Sequence, residues 1–148
     1  MTEVAFHFSA PDKLGYTCRL LRKAVARGAR VAVTAEPEML RALDHALWTF
    51  APLEFVPHCA QEADASVLAA SPIVLCKALH GVDRTQVLVN LAEGVPDGFE
   101  RFERLIEIVT LDEADRRAAR KRWMHYSERG YAIVRHDAAN PAGQSAAS

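Results

Sequence analysis

Two short apolar runs separated by a helical stripe open this chain, and that order leaves few folds open to it. Val4, Phe6 and Phe8 carry the apolar weight of an alternating segment that reads as a first strand. Leu14, Cys18, Leu21 and Val25 then recur at helical spacing, while Arg19, Arg22 and Lys23 lie off that stripe. Ser9 with Asp12 resembles a helix start with Pro11 in its first turn, and Gly28 is placed to end the helix near Arg27. Arg30-Val31-Ala32-Val33-Thr34 follows, rich in β-branched residues and short enough to be a buried strand. A strand-helix-strand unit results, with the first two strands expected as parallel neighbours.

The pattern continues. Glu36-Pro37-Glu38 opens a second helix, its proline in the first turn and its acids near the positive end of the helix dipole. Its stripe is Leu40, Leu43, Leu47 and Phe50; Trp48 falls away from that stripe, so it is either a contact residue or a cover for a helix end. Residues 53–57, limited by Pro57, read as a short strand. Ile73-Val74-Leu75-Cys76 and residues 86–91 read as two more. Residues 99–105 have a helical pattern, Ile106-Glu107-Ile108-Val109 is apolar, a basic helix runs from near Asp112 to before Gly130, and Tyr131-Ala132-Ile133-Val134 suits a closing strand. The expected fold is α/β: one compact domain over residues 1–138 with a mostly parallel central sheet flanked by helices. A disordered tail is expected over residues 139–148, where small and polar residues replace bulky apolar ones.

The 148 residues suit a single domain that buries a core without staples. Lys plus Arg number 18 against 19 acids, so the chain as a whole is no polyanion binder and any basic site must be local. The cysteines Cys18, Cys59 and Cys76 are odd in number, scattered and set in or beside apolar segments, which points to reduced thiols and a cytoplasmic protein. Neither a secretory leader nor an 18-residue apolar run is evident, so no membrane association is expected.

Local basic chemistry sits in Arg116-Arg117-Ala118-Ala119-Arg120-Lys121-Arg122-Trp123. On a helix, Arg116, Arg120 and Trp123 fall within about a 60° arc, so two fixed charges flank one indole. Such a face could capture an acidic peptide with an apolar end, grip single-stranded nucleic acid, or be a solvated basic face. Other chemistries lack their residues. The turn after the first strand, Phe8-Ser9-Ala10-Pro11-Asp12, has no glycine for the close approach of a pyrophosphate, and there is no phosphate-binding G-x-x-x-x-G-K-[ST] loop. His58-Cys59 has no partners at metal-ligand spacing, so neither metal nor cofactor is expected. Glu62 and Asp64 form no general acid-base signature, and nothing specific supports a thiol nucleophile at Cys59.

Several blocks carry a family resemblance. Leu43-Asp44-x-Ala46-Leu47-Trp48, then Phe55-Val56-Pro57-His58, then Ala119-Arg120-x-Arg122-Trp123-x-x-Tyr126 and Gly130-Tyr131 resemble the chi subunit of bacterial DNA polymerase III holoenzyme, over nearly the whole domain. The resemblance implies a Rossmann-like fold without a nucleotide site. It also implies a non-catalytic adaptor that pairs with the psi subunit, or alternatively with a repair helicase, and grips the acidic, phenylalanine-ended C-terminal tail of single-stranded DNA-binding protein; contact with DNA is then indirect. The tail-binding positions implied are Trp48, Phe55, Val109, Arg116, Arg120 and Trp123. Family members can carry a lysine after the final aromatic where this chain has Met124, a loss for which Arg117 or Lys121 could compensate. Direct binding of single-stranded nucleic acid is the alternative function.

Overall fold

Strands buried on both faces need uninterrupted apolar stretches, and this chain supplies them in series. The computed structural model describes residues 1–49 and 56–139. In order come β1 (Glu3–Ala10), α1 (Lys13–Ala26), β2 (Val31–Thr34), α2 (Pro37–Thr49), β3 (His58–Ala60), α3 (Ala65–Ala70), β4 (Ile73–Cys76), β5 (Val87–Asn90), β6 (Arg104–Thr110), α4 (Glu113–Glu128) and β7 (Ile133–Asp137). Among the described residues the strands form one sheet in the order β3-β4-β2-β5-β6-β1-β7, every pair parallel. All four residues of both β2 and β4 are buried, as central parallel strands require.

Side-chain alternation splits the core in two. Val31, Val33, Ile73, Leu75, Val89 and Ile106 pack with Cys18 and Leu21 of α1 and Leu43 and Leu47 of α2. Val4, Phe6, Ala32, Leu88 and Leu105 pack on the other face with Ala119 and Tyr126 of α4 and with Phe99 of a 3-10 turn at Phe99–Arg101. None of the helices among the described residues is long and apolar enough to cross a membrane.

The α/β class and the helices at α1, α2 and α4 match expectation, and several details do not. β1 and β2 are parallel but not neighbours, since β5 and β6 lie between them. Period and composition select a strand without naming the strand beside it. The cap of α1 is Asp12, not Ser9: its carboxylate accepts the Gly15 N–H at 2.8 Å, and β1 continues through Ala10. Residues 99–105 give only the single 3-10 turn, because Arg104 and Leu105 join β6 beside β1. The strand expected over residues 53–57 lies partly outside the described residues; Val56 and Pro57 are not in a strand, β3 follows at His58, and the closing strand is shifted to Ile133–Asp137. The short α3 was not expected from the sequence. The expected tail lies outside the described residues from Asn140 onward.

Candidate functional site

Helix α4 is held at its start by reciprocal polar contacts. Asp112 caps it, its carboxylate accepting the Asp115 N–H at 3.0 Å. Asp115 accepts from the Thr110 N–H and hydroxyl and pairs with Lys13 of α1 at 2.7 Å. Burial alone would raise the Asp115 carboxyl, but the hydrogen bonds from Lys13 and Thr110 outweigh it and hold it below its ordinary value. Gly130, at φ +80°, lets the chain turn away after the helix.

The phase of α4 is fixed from inside the core. Arg122, in the middle of the cationic run, turns inward and is 2 % exposed. Its Nε donates to Glu107 Oε1 at 2.9 Å and its Nη1 to the Glu93 carbonyl at 2.9 Å. Glu107, fully buried on β6, also accepts from the Tyr126 hydroxyl at 2.6 Å and from Asn90. Burial pushes the Glu107 carboxyl up, opposed by the Arg122 charge and these donors. The Tyr126 hydroxyl is held well above its ordinary range by burial, then by the charge of Glu107. A buried charge pair so placed ties α4 to β5 and β6, so the outer residues of the helix have one orientation.

Those outer residues line a groove of about 640 Å³ between α4 and the ends of β1, β6 and β7. Phe6, Phe8, Val109, Leu111, Trp123 and Met124 give it an apolar wall, and Arg116, Arg120 and Arg135 supply charge. Among the described residues no carboxylate lines it. Leu111 and Met124 are 65 % and 54 % exposed, high values for large apolar side chains. Arg135 lies over the Phe8 ring at 5.0 Å. Arg120 is engaged with Glu113 at 3.0 Å, both side chains largely in solvent. Ser9, also in the lining, has φ +60°, the one left-handed residue other than glycine among those described. It sits where the β1–β6 register shifts between His7 and Ala10.

Four of the six expected positions, Val109, Arg116, Arg120 and Trp123, share this groove. Trp48 does not. It stands on α2, 58 % exposed, with its ring edge-on to His58 of β3 at 5.5 Å. In the sheet order β3 is five places from β1, or roughly 24 Å at the usual strand spacing. Phe55 lies outside the described residues. The two motif blocks nonetheless meet, because Asp44 of α2 accepts from His58 Nε2 at 2.9 Å. Neither Arg117 nor Lys121 is among the lining residues of the groove, and Arg135 of β7 brings a third cation to it. Sequence reasoning missed Arg135, Phe8 and Leu111. Leu111 follows the apolar run, and the other two lie on strands far apart in the chain.

Among the described residues no group of three His, Cys, Asp or Glu side chains could hold a metal ion. Burial raises the Cys18 thiol and pushes that of Cys76 up to about 12, so neither thiol is activated.

A Rossmann-like α/β domain with an arginine-edged apolar groove is the class of protein that this fold and site define. The model of the family described as "DNA polymerase III chi subunit, HolC" matches residues 1–134, and the chain belongs to that family. DNA polymerase III subunit chi of Pseudomonas aeruginosa is 33 % identical over 141 residues, covering 92 % of this chain and 96 % of that one. The protein of the same name from Haemophilus influenzae is 28 % identical over 116 residues, covering 77 % and 79 %.

Proposed function

We propose that this groove holds the acidic C-terminal tail of single-stranded DNA-binding protein, and that the protein is a non-catalytic cytoplasmic adaptor linking that tail, through the psi subunit, to the clamp loader. The observation that carries this reading is three arginines around an apolar floor, with no acid among the described residues that line it, although Arg120 also pairs with Glu113. Guanidinium groups pair with tail carboxylates, and Phe6, Val109, Trp123 and Met124 receive the terminal phenylalanine. Direct single-stranded DNA binding is less well supported at this groove, because a strand needs a longer cationic track.

Trp48 packs edge-on to His58 of β3, at the sheet edge away from β1. Its exposed indole suits a second partner, psi or a helicase, at the opposite edge of the sheet.

Titrating the protein with a fluorescent peptide ending Asp-Asp-Asp-Ile-Pro-Phe tests both parts. Arg120→Ala, Arg135→Ala and removal of the terminal phenylalanine each weaken binding about tenfold, the scale of one charge-assisted contact. Trp48→Ala leaves peptide affinity unchanged and reduces co-purification with psi. Equal affinity for the peptide with and without its phenylalanine contradicts the groove assignment.

A further inference from the structure

On the other side of the sheet, α1 and strands β1, β5, β6 and β7 enclose a second cavity of about 420 Å³. Four permanent cations line it, Arg19 and Lys23 of α1, Arg27 just past its end and Arg104 of β6, together with His7 of β1 and His136 of β7. Among the described residues no carboxylate lines it. The acids beside it are Glu3, which pairs with Arg104 at 3.7 Å from its Nε without a hydrogen bond, Asp12, which caps α1 next to the lining residue Pro11, and Asp137, which follows His136.

The polar atoms here are short of acceptors. Four buried side-chain nitrogens among the described residues have no hydrogen-bond partner, and three of them, His7 Nε2, His136 Nδ1 and Arg104 Nε, belong to this cluster. His7 is 3 % exposed, stacks on His136 at 4.4 Å, and has its Nδ1 in a hydrogen bond with the Tyr16 hydroxyl. Arg104 Nε is a donor without an acceptor, and so is His7 Nε2 in the tautomer in which the Tyr16 hydroxyl donates to Nδ1. Buried unpaired donors are costly, and cations that outnumber the acids beside them repel one another; a ligand that only accepts and is negatively charged relieves both.

A single carboxylate has two oxygens and one charge, fewer than this cluster can engage. A phosphate group offers three oxygens and up to two charges. Arg19, Lys23 and Arg27 stand four residues apart in sequence, a row of about 12 Å along α1 and longer than one phosphate needs. Val87 and Ile106 add apolar wall for the carbon part of a ligand.

We propose that this cavity binds a ligand carrying two or more phosphate groups, either a small di- or triphosphate or consecutive phosphates of a single nucleic-acid strand. The site is separate from the α4 groove and does not depend on what that groove binds. Bound phosphate offsets the positive surroundings of both histidines. His7 faces Tyr16, Arg104 and His136, while His136 faces Arg104, Lys23 and Asp137, and burial and the cations hold both rings below their ordinary range. Bound phosphate therefore raises the proton affinity of both rings.

The test follows the His7 and His136 ring signals by NMR at low salt, below and above neutrality, during titration with pyrophosphate and, separately, with a short oligothymidylate. The site predicts saturable shifts of both rings with pyrophosphate. Affinity is at least about tenfold weaker in Lys23→Gln/Arg27→Gln, which alters only exposed side chains, and unchanged in Arg120→Ala. An oligonucleotide that shifts the same rings and binds more tightly than pyrophosphate identifies a strand as the ligand; shifts with pyrophosphate alone identify a small phosphate. Absence of saturable ring shifts with either probe at millimolar concentration, or equal affinity in the double variant, overturns the proposal.

Discussion

The indole of Trp123 leans on the ring of Phe6, with centroids 5.0 Å apart and planes inclined at 58°. Phe6 is itself buried and meets Tyr126 edge-on at 6.0 Å, and the Tyr126 hydroxyl ends on Glu107. One chain of contacts thus runs from a buried carboxylate to the aromatic wall of the groove. It makes the groove a feature of the folded domain that needs no ligand to set the indole.

Glu113 holds Arg120 in the free protein at 3.0 Å and competes with an incoming carboxylate for the same guanidinium. Glu113→Gln releases Arg120 and raises affinity for an acidic tail peptide by about two- to fivefold, the scale of an exposed ion pair. Unchanged affinity in a peptide titration contradicts that competition.

The Glu107–Arg122 pair yields a double-mutant cycle. Glu107→Leu leaves an arginine buried without its counter-charge and destabilises the fold by about 3–5 kcal/mol, and Arg122→Met does the same to the carboxylate. The double variant Glu107→Leu/Arg122→Met recovers much of that loss in urea unfolding, because it buries no unpaired charge. Strictly additive losses contradict the direct coupling.

This brace was hidden in the sequence even though α4 was plain. Asp112 as cap, helical spacing and Gly130 marked the helix, but a run of Arg and Lys says nothing about which member points inward. Glu107 sits in an apolar strand with nothing local to mark its partner. The alternating pattern that gave β1 and β2 is likewise local, whereas strand order and the arrival of Arg135 beside Phe8 depend on contacts between distant segments. The resemblance grouped Trp48 with Trp123 as one set. The sheet separates them, because β3 lies at one edge and β1 beside the other.

Ser9 occupies the left-handed region at the point where β1 leaves its register with β6. A β-branched side chain is poorly tolerated there, so Ser9→Val lowers stability by about 1–2 kcal/mol. Thermal unfolding reads it; wild-type stability in Ser9→Val contradicts a strained turn.

His7 gives the fold an acid limit. Burial, then the charges of His136 and Arg104, push it from 6.5 down to about 3. Its folded value lies below the unfolded one, so its contribution is complete above pH 6.5 and lost as pH falls from there toward about 3. Replacing it by glutamine, which cannot take up the proton, flattens the fall in melting temperature across that window. An equally steep fall in His7→Gln assigns the acid limit to other groups.

The central claim concerns Trp123, one of only two tryptophans in the chain. In a Trp48→Phe protein its emission reports on the groove alone, and titration with the acidic phenylalanine-ended peptide gives a saturable change whose midpoint moves to higher peptide concentration as salt is added. A Trp123 signal that does not respond to the peptide at low salt contradicts the account.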